Sequence, residues 1–159
     1  AAHPYETPAY DVVELADLPG PVGLGRVGDL PEPMTLGELV DRAAQVLPAT
    51  AWGVRAAGDP SSVVARLAVC GGSGDDAIGA AAASGAQAYL TSDLKHHRVA
   101  ERPEGLALLD AAHWATEQPW LATAAEALTR VFSGEQRVEA VVSKLRTDPW
   151  TTATRSPHA

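Results

Sequence analysis

Leu67-Ala68-Val69-Cys70, Ala88-Tyr89-Leu90-Thr91 and Leu106-Ala107-Leu108-Leu109 are three short, nearly continuous apolar runs. A strand covered on one face alternates apolar with polar residues, whereas a strand covered on both faces need not, and these three do not. Strands are therefore expected over Val63 to Cys70, Ala86 to Thr91 and Leu106 to Asp110. Asp75 to Ser84, rich in alanine and stopped by Gly85, reads as a helix between the first two. Strand, helix, strand in succession predicts an α/β fold, with a largely parallel sheet and flanking helices.

N-terminal to these runs, Thr35-Leu36-Gly37-Glu38 has the spacing of a capping box. It predicts a helix from Leu36 to Leu47, stopped by Pro48, whose apolar stripe is Leu36, Leu39, Val40, Ala43 and Leu47. Trp52 to Ala57, Ala9 to Leu15 and Val138 to Ser143 read as further strands, and Trp114 to Phe132 as the longest helix. Thr151 to Ala159 has no apolar periodicity and reads as a frayed tail.

Composition narrows the function classes. The chain has 159 residues, enough for one core, and 12 basic against 20 acidic side chains give a net charge of −8. With no Lys/Arg run, neither nucleic acid nor an anionic membrane surface is an expected partner. No apolar stretch reaches the ~20 residues that span a bilayer. A single cysteine, Cys70, fits a reducing, cytoplasmic compartment and reads as an inert core thiol. The opening Ala1-Ala2-His3-Pro4-Tyr5-Glu6, without Met, reads as a piece of a longer chain.

In open α/β sheets the working groups gather beyond the carboxyl ends of the strands. There the sequence puts Gly71-Gly72-Ser73-Gly74, Ser92-Asp93-Leu94-Lys95-His96-His97 and His113-Trp114-Ala115-Thr116-Glu117. His113 and Glu117, four apart at a helix start, share a face with Cβ atoms about 5–6 Å apart. That spacing suits two ligands of a divalent ion, and equally an ordinary helix-surface hydrogen bond. His97 could act as a ligand or general acid/base, or belong to a solvated helix start capped by Asp93. The glycine loop is either an anion cradle or a tight turn. Trp114, Trp120 and Trp150 either line a pocket or anchor packing. Gly23-Leu24-Gly25-Arg26-Val27-Gly28 matches a dinucleotide fingerprint but leads into Asp29-Leu30-Pro31-Glu32-Pro33, not a helix, and is rejected.

His3-Pro4-Tyr5-Glu6, Gly23 to Gly28, Val69 to Gly74, Tyr89 to His97 and Asp110 to Glu117 follow one another in an order that resembles the NIF-three-like family (Ngg-interacting factor three). Its members carry the label GTP cyclohydrolase I type 2 homologue. The resemblance implies a hexameric ring of α/β subunits, each with a dinuclear centre of divalent ions (zinc, iron or manganese). It implies that residues 1–20 end a small inserted domain, that 21–150 form the C-terminal half of the main fold, and that 151–159 trail it. It assigns His113 and Glu117 as metal ligands, His97 as a group acting on substrate, and Asp93 as substrate-binding, with Ser92 where the family has glycine. The other ligands, two histidines and an aspartate, would lie in an N-terminal half absent here.

The expected activity is metal-dependent hydrolysis of a nucleotide-like small molecule. The alternative is a non-enzymatic metal-binding regulatory or scaffold protein, and a third reading is an anion-binding module built on Gly71 to Gly74.

Overall fold

A computed structural model describes residues 23–133 and 138–154. The expected strand at Ala9 to Leu15 lies outside the described residues. Ten elements follow one another: β1 (Gly25–Thr35), α1 (Leu36–Val46), β2 (Val54–Ala57), β3 (Val63–Ser73), a 3-10 turn (Asp75–Ala77), α2 (Ile78–Ala83), β4 (Ala88–Ser92), α3 (His96–Ala100), β5 (Ala107–Ala111) and α4 (His113–Val131).

The sheet order is β1-β3-β4-β5-β2. The three apolar runs form its centre, β3, β4 and β5, all parallel. Both edge strands, β1 on β3 and β2 on β5, are antiparallel, so the sheet is mixed around a parallel core. Its α/β class stands as expected, and the parallel part is confined to three strands.

β1 is not among the expected strands, because its sequence carries Gly25 and Gly28 and contains Pro31 and Pro33. Proline cannot donate to a ladder and is tolerated at a sheet edge or bulge. β1 is an edge strand, and its register on β3 slips between Asp29 and Met34, bracketing both prolines. The fingerprint-like Gly23 to Gly28 thus enters a strand and not a helix. Val138 to Ser143 forms no strand. β1 and β2 occupy the two sheet edges, and the segment pairs with neither.

The central strands are buried on both faces, as their composition demands. On one face α1 covers Val64, Ala88, Ala107 and Leu109 with Leu36, Leu39 and Ala43. On the other, α2 and the turn before α3 cover Ala68, Cys70, Tyr89 and Leu108 with Ile78, Ala81 and Leu94. Burial of each large side chain contributes roughly 1.5–3 kcal/mol. α1 starts on the expected capping box, with Glu38 Oε2 2.8 Å from the Thr35 amide and the Glu38 amide 3.2 Å from Thr35 Oγ1.

α4 is anchored chiefly by its first turns, where Ala115 is buried against the sheet. Pro119 lies inside it, and beyond that point Trp120, Leu128 and Val131 are exposed. No helix among the described residues is long and apolar enough to cross a membrane.

Candidate functional site

Buried polar side chains collect at one place, the carboxyl edge of the parallel strands: Asp75, Thr91, Ser92 and Asp110. β3 runs out there in Gly71-Gly72-Ser73. The Gly72 peptide is gripped on both sides, its N–H donating to Thr116 Oγ1 (2.8 Å) and its carbonyl accepting from Thr91 Oγ1 (2.9 Å). The Thr116 hydroxyl in turn donates to the His113 carbonyl (2.8 Å) and stands 3.3 Å from Ser92 Oγ. One threonine in the first turn of α4 thereby ties that helix to the ends of β3 and β4.

This stitching sets His113. Its Nδ1 is 2.6 Å from Asp93 Oδ2 and its Nε2 is 3.2 Å from Glu117 Oε1. The hydrogen bond to Asp93 holds the imidazole above its ordinary pKa, with the charge of Glu117 adding to it against partial burial. Asp93 has φ +57°, the only positive φ outside glycine among the described residues. Aspartate tolerates that left-handed backbone better than most residues.

A divalent ion fits this arrangement in part. Two ligands bonded at about 2.0–2.2 Å to one ion sit roughly 3 Å apart, and Nε2 and Oε1 are so spaced. A carboxylate on the far nitrogen is the usual way a metal-binding imidazole is oriented, and Asp93 takes that position. Gly72 leaves the room: a β-carbon there would stand 2.8 Å from Glu117 Oε1 and 3.1 Å from His113 Nε2. Two donors are half of a tetrahedral shell, and no cluster of three or more His, Cys, Asp or Glu side chains able to hold a metal exists among the described residues.

His97 lies on α3, exposed, at the same sheet edge as His113. The N-cap of α3 is Lys95 and carries no side-chain cap, so Asp93 does not cap it. His96 lines a 230 Å³ cavity with Arg55 and Asp110. In the glycine loop the Gly72 amide is committed to Thr116, and the Gly74 carbonyl accepts from Tyr89 OH at 3.0 Å. Burial pushes the Tyr89 phenol up to about 12, which keeps it a donor. The stretch is thus neither a free loop nor a tight turn: Gly71 to Ser73 are the irregular end of β3, whose register on β4 shifts between Val69 and Ser73, and two carboxylates, Asp75 and Asp76, follow.

Cys70 is buried and free. Trp114 and Trp120 line a 1130 Å³ groove that reaches Glu117, Gly71 and Leu145, whereas Trp150 tilts against Trp52 at 6.1 Å. Sequence reasoning missed Thr91, Thr116, Asp75 and the Arg55–Asp110 pair. Thr116 could have been found as the hydroxyl one residue before Glu117, within reach of the glycine stretch.

Comparisons with known proteins place the fold and the family. The profile of the family described as Duf34/NIF3 (NGG1p interacting factor 3) matches residues 5–149. A Mycobacterium tuberculosis protein named GTP cyclohydrolase 1 type 2 homolog is 50 % identical over 152 residues, 94 % of this chain and 40 % of that protein. A Streptomyces coelicolor protein of the same name is 49 % identical over 145 residues, 88 % of this chain and 50 % of that protein. Among solved structures, a Bacillus cereus protein related to NIF3 superimposes with a TM-score of 0.72 at 29 % identity, covering 82 % of this chain and 36 % of that one. This chain therefore spans half or less of the length of these relatives. With a profile match over nearly its whole length and relatives near 50 % identity, the chain belongs to the Duf34/NIF3 family.

Proposed function

We propose that this chain contributes His113 and Glu117 to a dinuclear divalent-metal site, completed by residues outside it, in a metal-dependent hydrolase acting on a nucleotide-like small molecule. The observation that carries the reading is the imidazole of His113 fixed between two carboxylates, Asp93 on Nδ1 at 2.6 Å and Glu117 beside Nε2 at 3.2 Å. Bound divalent ions would supply Lewis acidity toward a substrate oxygen and lower the pKa of water. The chain's own residues do the rest. Asp93 fixes the ring orientation and tautomer of His113, keeping Nε2 directed at Glu117. Thr116 holds the Gly72 backbone clear of that pair. His97, exposed at the same edge, is suited to pass a proton to or from substrate.

The name of the curated relatives points to a purine nucleotide such as GTP as the first substrate to try. We further propose that the intact protein is a homo-oligomer, a hexamer, working in the cytoplasm; its single cysteine, Cys70, free and buried, fits a reducing compartment. A non-enzymatic metal-binding regulator or scaffold is the second reading, since the fit above concerns metal and not turnover.

Elemental analysis of the intact natural protein tests the site. About two divalent ions per chain are expected, with loss of at least one in His113→Ala and Glu117→Ala. A metal-free protein that cannot be reloaded with zinc, iron or manganese overturns the assignment. Hydrolysis across a nucleotide panel that is lost in His97→Ala with metal retained supports the enzyme; metal without turnover favours the scaffold.

A further inference from the structure

Asp75 is a buried charge for which the proposed chemistry has no use. It is 5 % exposed, in the 3-10 turn that follows Gly74. The turn can come so close to β4 only because Gly74 has no side chain: a β-carbon there would collide with the Tyr89 hydroxyl and with Thr91. A carboxylate buried to this degree needs charged or hydrogen-bonding partners. Its partners all come from the segment after β4. Oδ1 accepts from the Lys95 amide (3.4 Å), and Oδ2 lies 3.3 Å from Lys95 Nζ and 3.7 Å from Arg98 Nε.

That segment carries Asp93. Its left-handed backbone, tolerated by aspartate at some cost, is kept between two fixed neighbours. On one side, Ser92 is fully buried and its hydroxyl faces Thr116. On the other, Leu94 is packed in the core and Lys95 is held by Asp75. Asp93 is thus bent between two fixed points, and the bend directs its carboxylate onto His113 Nδ1.

We propose that Asp75 is a positioning residue for the candidate site, holding the Asp93–Lys95 turn so that Asp93 meets His113. The glycine stretch at the end of β3 then has a definite task, which is to deliver a buried carboxylate beneath the neighbouring loop. Only the metal-affinity arm of the test below rests on the reading under Proposed function; the spectroscopic arm stands on the Asp93–His113 contact alone.

The experiment uses the intact protein with 15N-labelled histidine, in wild type, Asp75→Ala, Asp75→Asn and Asp76→Ala. The last removes an exposed carboxylate that pairs with the same Arg98. The first readout, in metal-free protein, is the downfield Nδ1–H resonance expected of a short bond from imidazole to carboxylate. The second is zinc affinity by chelator competition. Asp75→Ala is expected to shift or broaden the resonance away and to weaken zinc binding about tenfold or more, the usual effect of disturbing the group that orients a ligand. Asp75→Asn, which keeps an acceptor for the Lys95 amide, should recover part of both, and Asp76→Ala should match wild type.

If Asp75→Ala does not fold, Asp75→Asn decides alone. Where Asp75→Ala folds, an unchanged resonance in it overturns the proposal; where it does not, a resonance in Asp75→Asn identical to wild type does. If wild type itself binds no zinc, the metal reading fails and the resonance still decides the role of Asp75.

Discussion

Gly72 and Glu117 face each other so closely that a β-carbon on the first would stand 2.8 Å from Oε1 of the second. Gly72 also has φ +70°. Gly72→Ala therefore combines backbone strain of roughly 1–2 kcal/mol with displacement of the Glu117 carboxylate. Gly53→Ala is the control, since Gly53 has φ +67° with nothing within 4 Å of the added carbon. Both variants should lose comparable stability in urea titration, and only Gly72→Ala should also lose divalent-metal affinity.

His113 should titrate above the ordinary histidine value in metal-free protein, because Asp93 hydrogen-bonds its charged form. The folded pKa exceeds the unfolded one, so the stability it contributes is complete below the unfolded value near 6.5 and fades as pH rises through the folded value. Asp93→Asn removes the largest cause. Its His113 midpoint by NMR should fall toward 6.5, and the slope of stability against pH above that value should flatten.

At the start of α1 the sign is opposite. The Thr35 amide and hydroxyl hold Glu38 below its ordinary pKa, so its contribution is complete above the unfolded value of 4.5 and is lost as pH falls through the folded value. Thr35→Ala breaks the capping box and should cost about 1 kcal/mol at pH 7 by chemical denaturation, with the difference from wild type shrinking at acid pH.

Arg55 and Asp110 are directly opposed on β2 and β5 and meet at 2.6 Å, the carboxylate side chain 7 % exposed and the guanidinium 61 % exposed. Removing the exposed partner strands the buried one. Arg55→Ala should cost about 1–3 kcal/mol, and the double variant Arg55→Met/Asp110→Leu should recover most of it, because an apolar pair leaves no uncompensated charge. Thermal denaturation of the three proteins is the check.

What the sequence made legible follows from local signals. The apolar runs around Val69, Leu90 and Leu108 marked the buried strands, and Thr35 with Glu38 marked a helix start, because each signal lies within a few consecutive residues. The spacing of His113 and Glu117 put them on one face for the same reason. β1 was hidden because Pro31 and Pro33 are strand breakers everywhere except at an edge or bulge, and edge status is a tertiary fact. Val138 to Ser143 has strand composition and no ladder partner, which is equally invisible locally. Asp93 does not cap α3 as its position suggests, and no local pattern shows that its carboxylate crosses to a residue 20 positions later. Thr116 and Asp75 act across strands, so their part emerges only once β3, β4 and α4 are side by side.

Pro119 divides α4 in a way that bears on how the protein breathes. Proline has no amide hydrogen, so the Ala115 carbonyl receives no i+4 bond and the helix loses a rung two residues beyond Glu117. N-terminal to that gap, Thr116 bolts the helix to the sheet; C-terminal to it, nearly every side chain faces solvent. Fraying that starts at Val131 therefore meets a natural stop before the turn bearing His113 and Glu117. Amide exchange along this one helix should fall into two regimes, a fast distal arm and a slow proximal turn, so His113 and Glu117 are insulated from the loosest part of the element that carries them.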